Sequence, residues 1–191
     1  KKEKKQKSNH RILMVSHIRP EKDIETAIRG FNEFIISLKG TSTSWEIDHY
    51  GGSTDIQYEK KAKEMLSINK GFNFCGIRTK EEINKLYMKY DLFLHPSAVE
   101  GGSLVVREAL EAGLPVIASN ISCHKSLLGE NYNGLYKQGS AKDLALKLKN
   151  FFFDEGFKKN MELLTRKSNG KLASREKETL GLKKIFCFLE I

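Results

Sequence analysis

From Arg11 to Phe153, apolar positions follow two alternating rhythms. RILMVS (11–16) is a short apolar run of strand length that breaks at HIRPEKD. Asp23 then opens a segment in which Ile24, Ala27, Ile28, Phe31, Phe34, Ile35 and Leu38 recur at helical spacing. After the loop KGTSTS, WEIDHYGG alternates like a strand and stops at two glycines. Residues 56–69 predict a polar amphipathic helix, and GFNFCG a brief strand ending on Gly76. Thr79 followed by Glu82 has the spacing of a capping box and introduces a helix over 80–90. DLFLHPS reads as a strand, EGGS as a glycine turn, LVVREALEAG as a helix and LPVIAS as another strand. NGLY is a short strand, and Ser140 or Ala141 begins the helix DLALKLKNFFF. Strand and helix alternating in this way imply right-handed crossovers. The expected fold class is therefore α/β: a Rossmann-like parallel sheet with helices on both faces.

The length of 191 residues suits one domain, or one domain with a tail. The expected division is a basic leader over 1–10, a body over 11–156, and a basic, helical but weakly patterned tail over 157–191. Charge sharpens that division. KKEKKQK at the start carries +4 and residues 157–191 carry +5, so 8–156 holds none of the chain's net +9. A neutral body excludes a broad nucleic-acid-binding face. The basic ends fit an anionic surface such as acidic lipid, or are simply solvated. No apolar run approaches the roughly 18 residues of a membrane span. Cys75, Cys123 and Cys187 are an odd, scattered set that fits a reducing compartment, with Cys75 and Cys123 expected as small buried residues.

The chemistry concentrates in HPSAVEGGSLVVREALEAGLPVIAS. In open parallel sheets, ligands bind where strands end and helices begin. Here a strand ends near Pro96, Gly101 and Gly102 permit close backbone approach, and a helix N-terminus follows at Ser103, suited to a phosphate or a sugar hydroxyl. On a helical wheel Glu108 falls between Leu104 and Ala112, in the arc that also holds Val105 and Ala109. A carboxylate there is either satisfied structurally or bonded to a ligand. With Glu100 eight positions earlier, it suits a polyhydroxylated ligand. His95, at the end of the same strand, is either a satisfied strand-end histidine or a ligand contact.

Glu100 and Glu108 form the E-x7-E spacing of retaining glycosyltransferases of the GT-B fold. The surrounding PSAVEGGSLVVREALEAGLPVIAS resembles the donor-binding region of glycosyltransferase family 4. The loop holding Lys22, Gly51–Gly52, FCG before a helix and NGLY agree, so the resemblance covers about 11–155. It implies the C-terminal, nucleotide-sugar-binding half of a two-domain enzyme, whose N-terminal GT-B domain binds the acceptor. By that resemblance Glu108 bonds the ribose and Glu100 faces the donor sugar, while the backbone of Gly101, Gly102 and Ser103 meets sugar and diphosphate. Lys22 matches the family's diphosphate-binding lysine. The partner arginine of the family pattern is His17 here, and Arg19 could supply the guanidinium, as in relatives with an S-x-x-R-P-x-K loop. Ile77 and Arg78 would lie by the base, and His124 stands where relatives often carry a glycine near the donor.

The implied partner is a UDP- or GDP-type sugar, with transfer to a glycan, lipid or small-molecule acceptor. No metal and no other cofactor is expected, since no DxD-like pair lies near the site. The resemblance implies a cytoplasmic protein, with peripheral association at the inner membrane face as an alternative. Two other readings remain open: a degenerate, non-catalytic nucleotide- or partner-binding module, and a same-fold enzyme of another reaction, such as a nucleotide-sugar epimerase or a selenosugar synthase. An NAD-binding domain is disfavoured, because RILMVSHIRP lacks GxGxxG.

Overall fold

A computed structural model describes residues 9–38, 43–66 and 71–168. Most of the lysine leader, the tail from 169 with Cys187, and the expected end of the second helix at Asn69 lie outside them. Six strands form one parallel sheet in the order β3-β2-β1-β4-β5-β6. They are β1 (Asn9–Val15), β2 (Ser44–Tyr50), β3 (Phe72–Gly76), β4 (Leu92–His95), β5 (Val116–Ser119) and β6 (Leu135–Tyr136). The helices are α1 (Ile24–Ser37), α2 (Ile56–Leu66), α3 (Lys80–Tyr87), α4 (Leu104–Glu111), α5 (Ser122–Leu128) and α6 (Ala141–Phe153), with a 3-10 turn at Pro20–Lys22. A further helix runs over 155–168.

The chain steps outward from β1 to β3, then returns to lay β4 on the other side of β1, with Ile12 opposite Leu92 and Leu13 opposite Phe93. The order of strands therefore reverses between β1 and β4. Ligand crevices of open α/β sheets form at such a switch, outside the carboxyl ends of the strands. Right-handed crossovers put α1, α2 and α6 on one face and α3, α4 and α5 on the other. In keeping with this, α1 packs against α2 and α6, and α4 packs against α3 and α5. Between these layers the strands supply the core: Ile12, Leu13, Ile47, Leu92, Phe93, Leu94, Val116 and Ile117 are fully buried, and β2 adds the buried polar pair Asp48 and His49.

Several boundaries differ from the sequence reading for identifiable reasons. β1 starts at Asn9, inside the expected leader, because His10 stacks on Trp45 with ring centroids 4.4 Å apart. α3 stops at Tyr87, since the Tyr90 hydroxyl is drawn to Asp48 at 2.7 Å. The expected capping box is present, with the Thr79 N–H donating to Glu82 Oε2 at 2.8 Å and the Glu82 N–H to Thr79 Oγ1 at 3.3 Å. α5 was not foreseen at all. The helix over 155–168 buries Met161 and Thr165, and the Tyr132 hydroxyl lies 3.3 Å from Thr165 Oγ1, so the packed body continues past residue 156. Cys75 and Cys123 are only half-buried, contrary to expectation.

Backbone contacts lace the loops at the carboxyl edge. Ser16 N–H donates to Tyr50 O at 3.0 Å, Ile18 N–H to Gly52 O at 2.9 Å, and Gly51 N–H to Gly76 O at 3.0 Å. Gly51 has φ +148, and a Cβ there would lie 1.9 Å from Ser16 O. This close approach of two strand ends requires glycine.

Candidate functional site

The loops after β1 and β4 meet at the switch point. The Ala98 N–H donates to Glu21 O at 2.8 Å, fixing the 3-10 turn against the loop that carries Glu100. Just beyond, Lys22 Nζ lies 2.6 Å from Glu100 Oε1, and His95 Nε2 lies 2.8 Å from the same oxygen. Burial alone would raise the Glu100 carboxyl. The hydrogen bonds from His95, Lys22 and Ser97 outweigh it and hold the group well below the usual carboxylate range. Asp23, which follows Lys22, is the one non-glycine residue at positive φ among the described residues, at 47°. Its carboxylate accepts from Thr26 N–H at 3.3 Å and caps α1, so the left-handed bend that presents Lys22 is fixed by the helix behind it.

α4 begins beside this pair. Gly101 and Gly102 are exposed, neither has positive φ, and a Cβ on either would meet nothing within 4 Å. Nothing among the described residues demands glycine at these positions. Ser103, the N-cap, is buried, caps no backbone N–H and leaves its Oγ without a partner. The Leu104 N–H turns back to Gly102 O at 2.9 Å, and the N–H groups of Val105 and Val106 have no intrahelical acceptor. A cavity of about 600 Å³ opens here, lined by Glu100, Gly101, Gly102, Ser103 and Arg107 from one side and by α5 from the other.

On the opposite flank of α4, a second depression of about 440 Å³ holds Glu108 with Lys80, Asn84 and Tyr87. The Tyr87 hydroxyl donates to Glu108 Oε2 at 3.0 Å, and Lys80 pairs with Oε1. Burial first, and then Glu108, push the Tyr87 phenol far up, so it stays a donor. Glu108 does not lie on the core side of α4. The core face of α4 is Val106, Ala109 and Leu110, while Leu104 is 57% exposed. Glu108 therefore borders the cleft rather than the core; of the apolar residues around it, Leu104, Val105 and Ala112 line the recesses, while Ala109 belongs to the core.

A third recess of about 260 Å³ brings His17, Gly51, Gly52, Ile77 and Arg78 together beside Val105 of α4. Ile77 is 75% exposed, and the Arg78 guanidinium lies 5.6 Å from the Tyr50 ring centroid. Arg19 Nε is 3.2 Å from Glu21 Oε1, so its charge is partly engaged. His124 does not join these groups. It is fully buried, with Nδ1 2.8 Å from Ser119 O and burial pushing it down to about 4. Its neighbours Ser122, Cys123 and Ser126 line the first cavity instead, together with Arg107. The sequence reading missed Tyr87, Lys80 and these α5 residues, because their partners come from other helices. Among the described residues, no group of three His, Cys, Asp or Glu side chains could hold a metal ion. No helix among them is long and apolar enough to cross a membrane.

An open parallel sheet with a cleft at its switch point, flanked by a glycine turn and two lysine-paired glutamates, is a GT-B-like α/β architecture. The family described as Glycosyl transferases group 1 matches residues 1–168, and the chain belongs to it. The sulfoquinovosyl transferase SQD2 of Arabidopsis thaliana is 31% identical over 123 residues, covering 62% of this chain and 22% of that protein. Among solved structures, Anabaena Alr3699/HepE in complex with UDP and glucose superposes with a TM-score of 0.73 at 19% identity, covering 91% of this chain and 48% of that one. The C-terminal domain of the glycosyl transferase group 1 family protein LpcC from Francisella tularensis gives 0.68 at 20% identity, covering 87% and 86%. The chain spans 18–34% of the length of the curated relatives it matches.

Proposed function

We propose that this chain is the donor-binding half of a retaining glycosyltransferase of family 4, taking a UDP- or GDP-type sugar. The observation that carries the reading is the Gly101–Gly102–Ser103 turn. Among the described residues, nothing explains the open space its glycines leave and its buried hydroxyl has no partner, while a helix N-terminus and Lys22 stand beside it. In this reading the base lies by Ile77 and Arg78, the ribose hydroxyls take Glu108, and the diphosphate meets Lys22, Arg19, His17 and the first turn of α4. Glu100 faces the donor sugar. The bond from the anomeric carbon to the diphosphate breaks with its electron pair going to phosphate oxygen, where Lys22, Arg19 and the helix N-terminus stabilise the charge without a metal, and that departing oxygen takes the proton lost by the acceptor hydroxyl. The acceptor oxygen attacks from the leaving-group face, presented by an N-terminal GT-B domain without which the chain turns over little. Cytoplasmic location, with the basic ends at an anionic membrane face, belongs to the same proposal. The HepE complex with UDP and glucose and the LpcC C-terminal domain support it by likeness of fold.

Titration calorimetry tests the reading. One nucleoside diphosphate or its sugar ester should bind at roughly micromolar to millimolar strength, unaffected by EDTA, with NAD much weaker. Absence of binding by any of them in folded protein would sink it. Glu108→Ala should weaken nucleotide binding by about 1.5–3 kcal/mol, the cost of a lost charged hydrogen-bond set. Unchanged affinity would instead assign Glu108 to holding Tyr87 and Lys80. His17 in the place of the family arginine favours a second reading, a nucleotide-binding module without transfer. Assaying transfer by the chain joined to its N-terminal domain separates the two.

A further inference from the structure

Behind Glu100 lies a polar assembly that the donor-site reading does not use. His95, the last residue of β4, is 2% exposed, and its ring lies 5.9 Å from Phe93 and 5.2 Å from His124. Its Nε2 is 2.8 Å from Glu100 Oε1 and 3.2 Å from Ser97 Oγ. Ser97 is in turn tied through its carbonyl to the Ser119 hydroxyl on β5. The imidazole thus sits on the rigid sheet, while Glu100 sits on a loop five residues later. Both the histidine and Lys22 contact Oε1, and neither touches Oε2.

We propose that His95 is a positioning residue for Glu100: its Nε2–H anchors Oε1 to the sheet, so that the carboxylate stays ionised and offers Oε2 to a hydroxyl of the donor sugar. The proposal rests on the donor-site reading for the identity of the ligand, but the anchoring itself does not. Burial drives His95 down against the opposing pull of Glu100, which keeps the ring neutral. A neutral imidazole that donates at Nε2 carries its lone pair on Nδ1, which fixes the tautomer. The contact supplies direction without adding a second buried cation beside Lys22. The charged or titratable groups facing the ring are Glu100, Lys22 and His124. Leucine at this position would keep the packing against Phe93 and remove the anchor. Glutamine would place an N–H close to where Nε2 now donates.

The experiment compares wild type, His95→Leu and His95→Gln by two measurements. Carbon-13 NMR of the Glu100 carboxyl, followed on the folded-state resonance down to the lowest pH at which each variant stays folded, should show wild type and His95→Gln still ionised there, and His95→Leu displaced toward the protonated shift with its midpoint moved upward. In parallel, UDP, GDP, UDP-glucose and GDP-mannose are titrated calorimetrically. For whichever pair binds, His95→Leu should lose about tenfold or more in affinity for the sugar ester, with the affinity for the free diphosphate within about twofold, and His95→Gln should regain most of the loss. A Glu100 midpoint unmoved by His95→Leu overturns the proposal, as does an equal loss for diphosphate and sugar ester. If His95→Leu does not fold, the glutamine variant decides. A glutamine variant that keeps wild-type stability but has an ordinary Glu100 midpoint overturns the anchoring role. Wild-type protein that binds none of the four ligands while the Glu100 midpoint stays low overturns the donor-site reading and leaves the anchor supported by the titration.

Discussion

Urea denaturation at a series of pH values should show this protein losing about 6 kcal/mol of stability between pH 6.5 and 4. His49 and His124 are fully buried, and burial pushes each from 6.5 to about 4. In the unfolded chain both protonate near 6.5. Between those limits the unfolded state holds more protons than the folded one, so stability rises with pH across the window and drains away as acid is added. Above 6.5 the neutral form is shared by both states and the contribution is flat. A shift of this size is worth about 3 kcal/mol for each histidine, and His95 is displaced in the same direction. His49 and His124 together are worth about 6 kcal/mol, a large share of a typical total of about 5–15 kcal/mol.

The carboxylates act lower on the scale. Asp48, held by Asn73, Tyr90 and Arg11 against the cost of its burial, has a depressed folded value, and so does Glu100. Their contributions are present above the ordinary carboxylate range and are lost only as pH falls through it. Asp23, raised by burial, works in the opposite sense and above its ordinary value, adding stability as pH falls. The loss between 6.5 and 4 is therefore a histidine signature. His49→Gln, which does not titrate, should remove close to half of the slope contributed by His49 and His124. A denaturation midpoint constant from pH 7.5 to 4.5 would refute the assignment.

The same histidines mark where reading the sequence stopped. The alternation of strands and helices was legible because each long element carries its own period: α1 shows six apolar positions at helical spacing with Leu38 at its C-cap, and Thr79 with Glu82 announces α3. α5 was not legible. It has seven residues, no side-chain cap, and only two buried positions, His124 and Leu128, too few to set a period. The Glu100–Lys22 contact spans 78 residues and arises only when β4 lies beside β1. Motif resemblance brought those two residues to one site, since neither periodicity nor spacing along the chain could. The environment of Glu108 was misread because α4 carries more apolar residues than its core face uses. Leu104 and Val105 line cavities around the cleft, and a wheel does not distinguish an apolar residue facing a cleft from one facing the core.

Lys22→Met should reduce nucleoside-diphosphate affinity on the order of 100- to 1,000-fold, the largest binding effect expected of a single substitution here. Two losses combine. The diphosphate loses the cation at the start of α4, and Glu100, 10% exposed at its side chain, keeps only His95 and Ser97 as partners. An anion entering the site then meets a carboxylate whose charge is no longer balanced. Removing that charge as well should help. The double variant Lys22→Met with Glu100→Gln is expected to recover roughly tenfold in diphosphate binding relative to Lys22→Met alone, a coupling that direct contact between the two residues requires. Lys22→Arg keeps the charge but exchanges a compact ammonium for a planar fork in a tight loop, so it should bind between wild type and Lys22→Met. Gly102→Ala supplies the contrast: open space and an ordinary φ predict unchanged stability, while a methyl group in the glycine cradle should obstruct the ligand. Binding by Lys22→Met within about threefold of wild type would remove the lysine from the diphosphate site and leave its pairing with Glu100 purely structural.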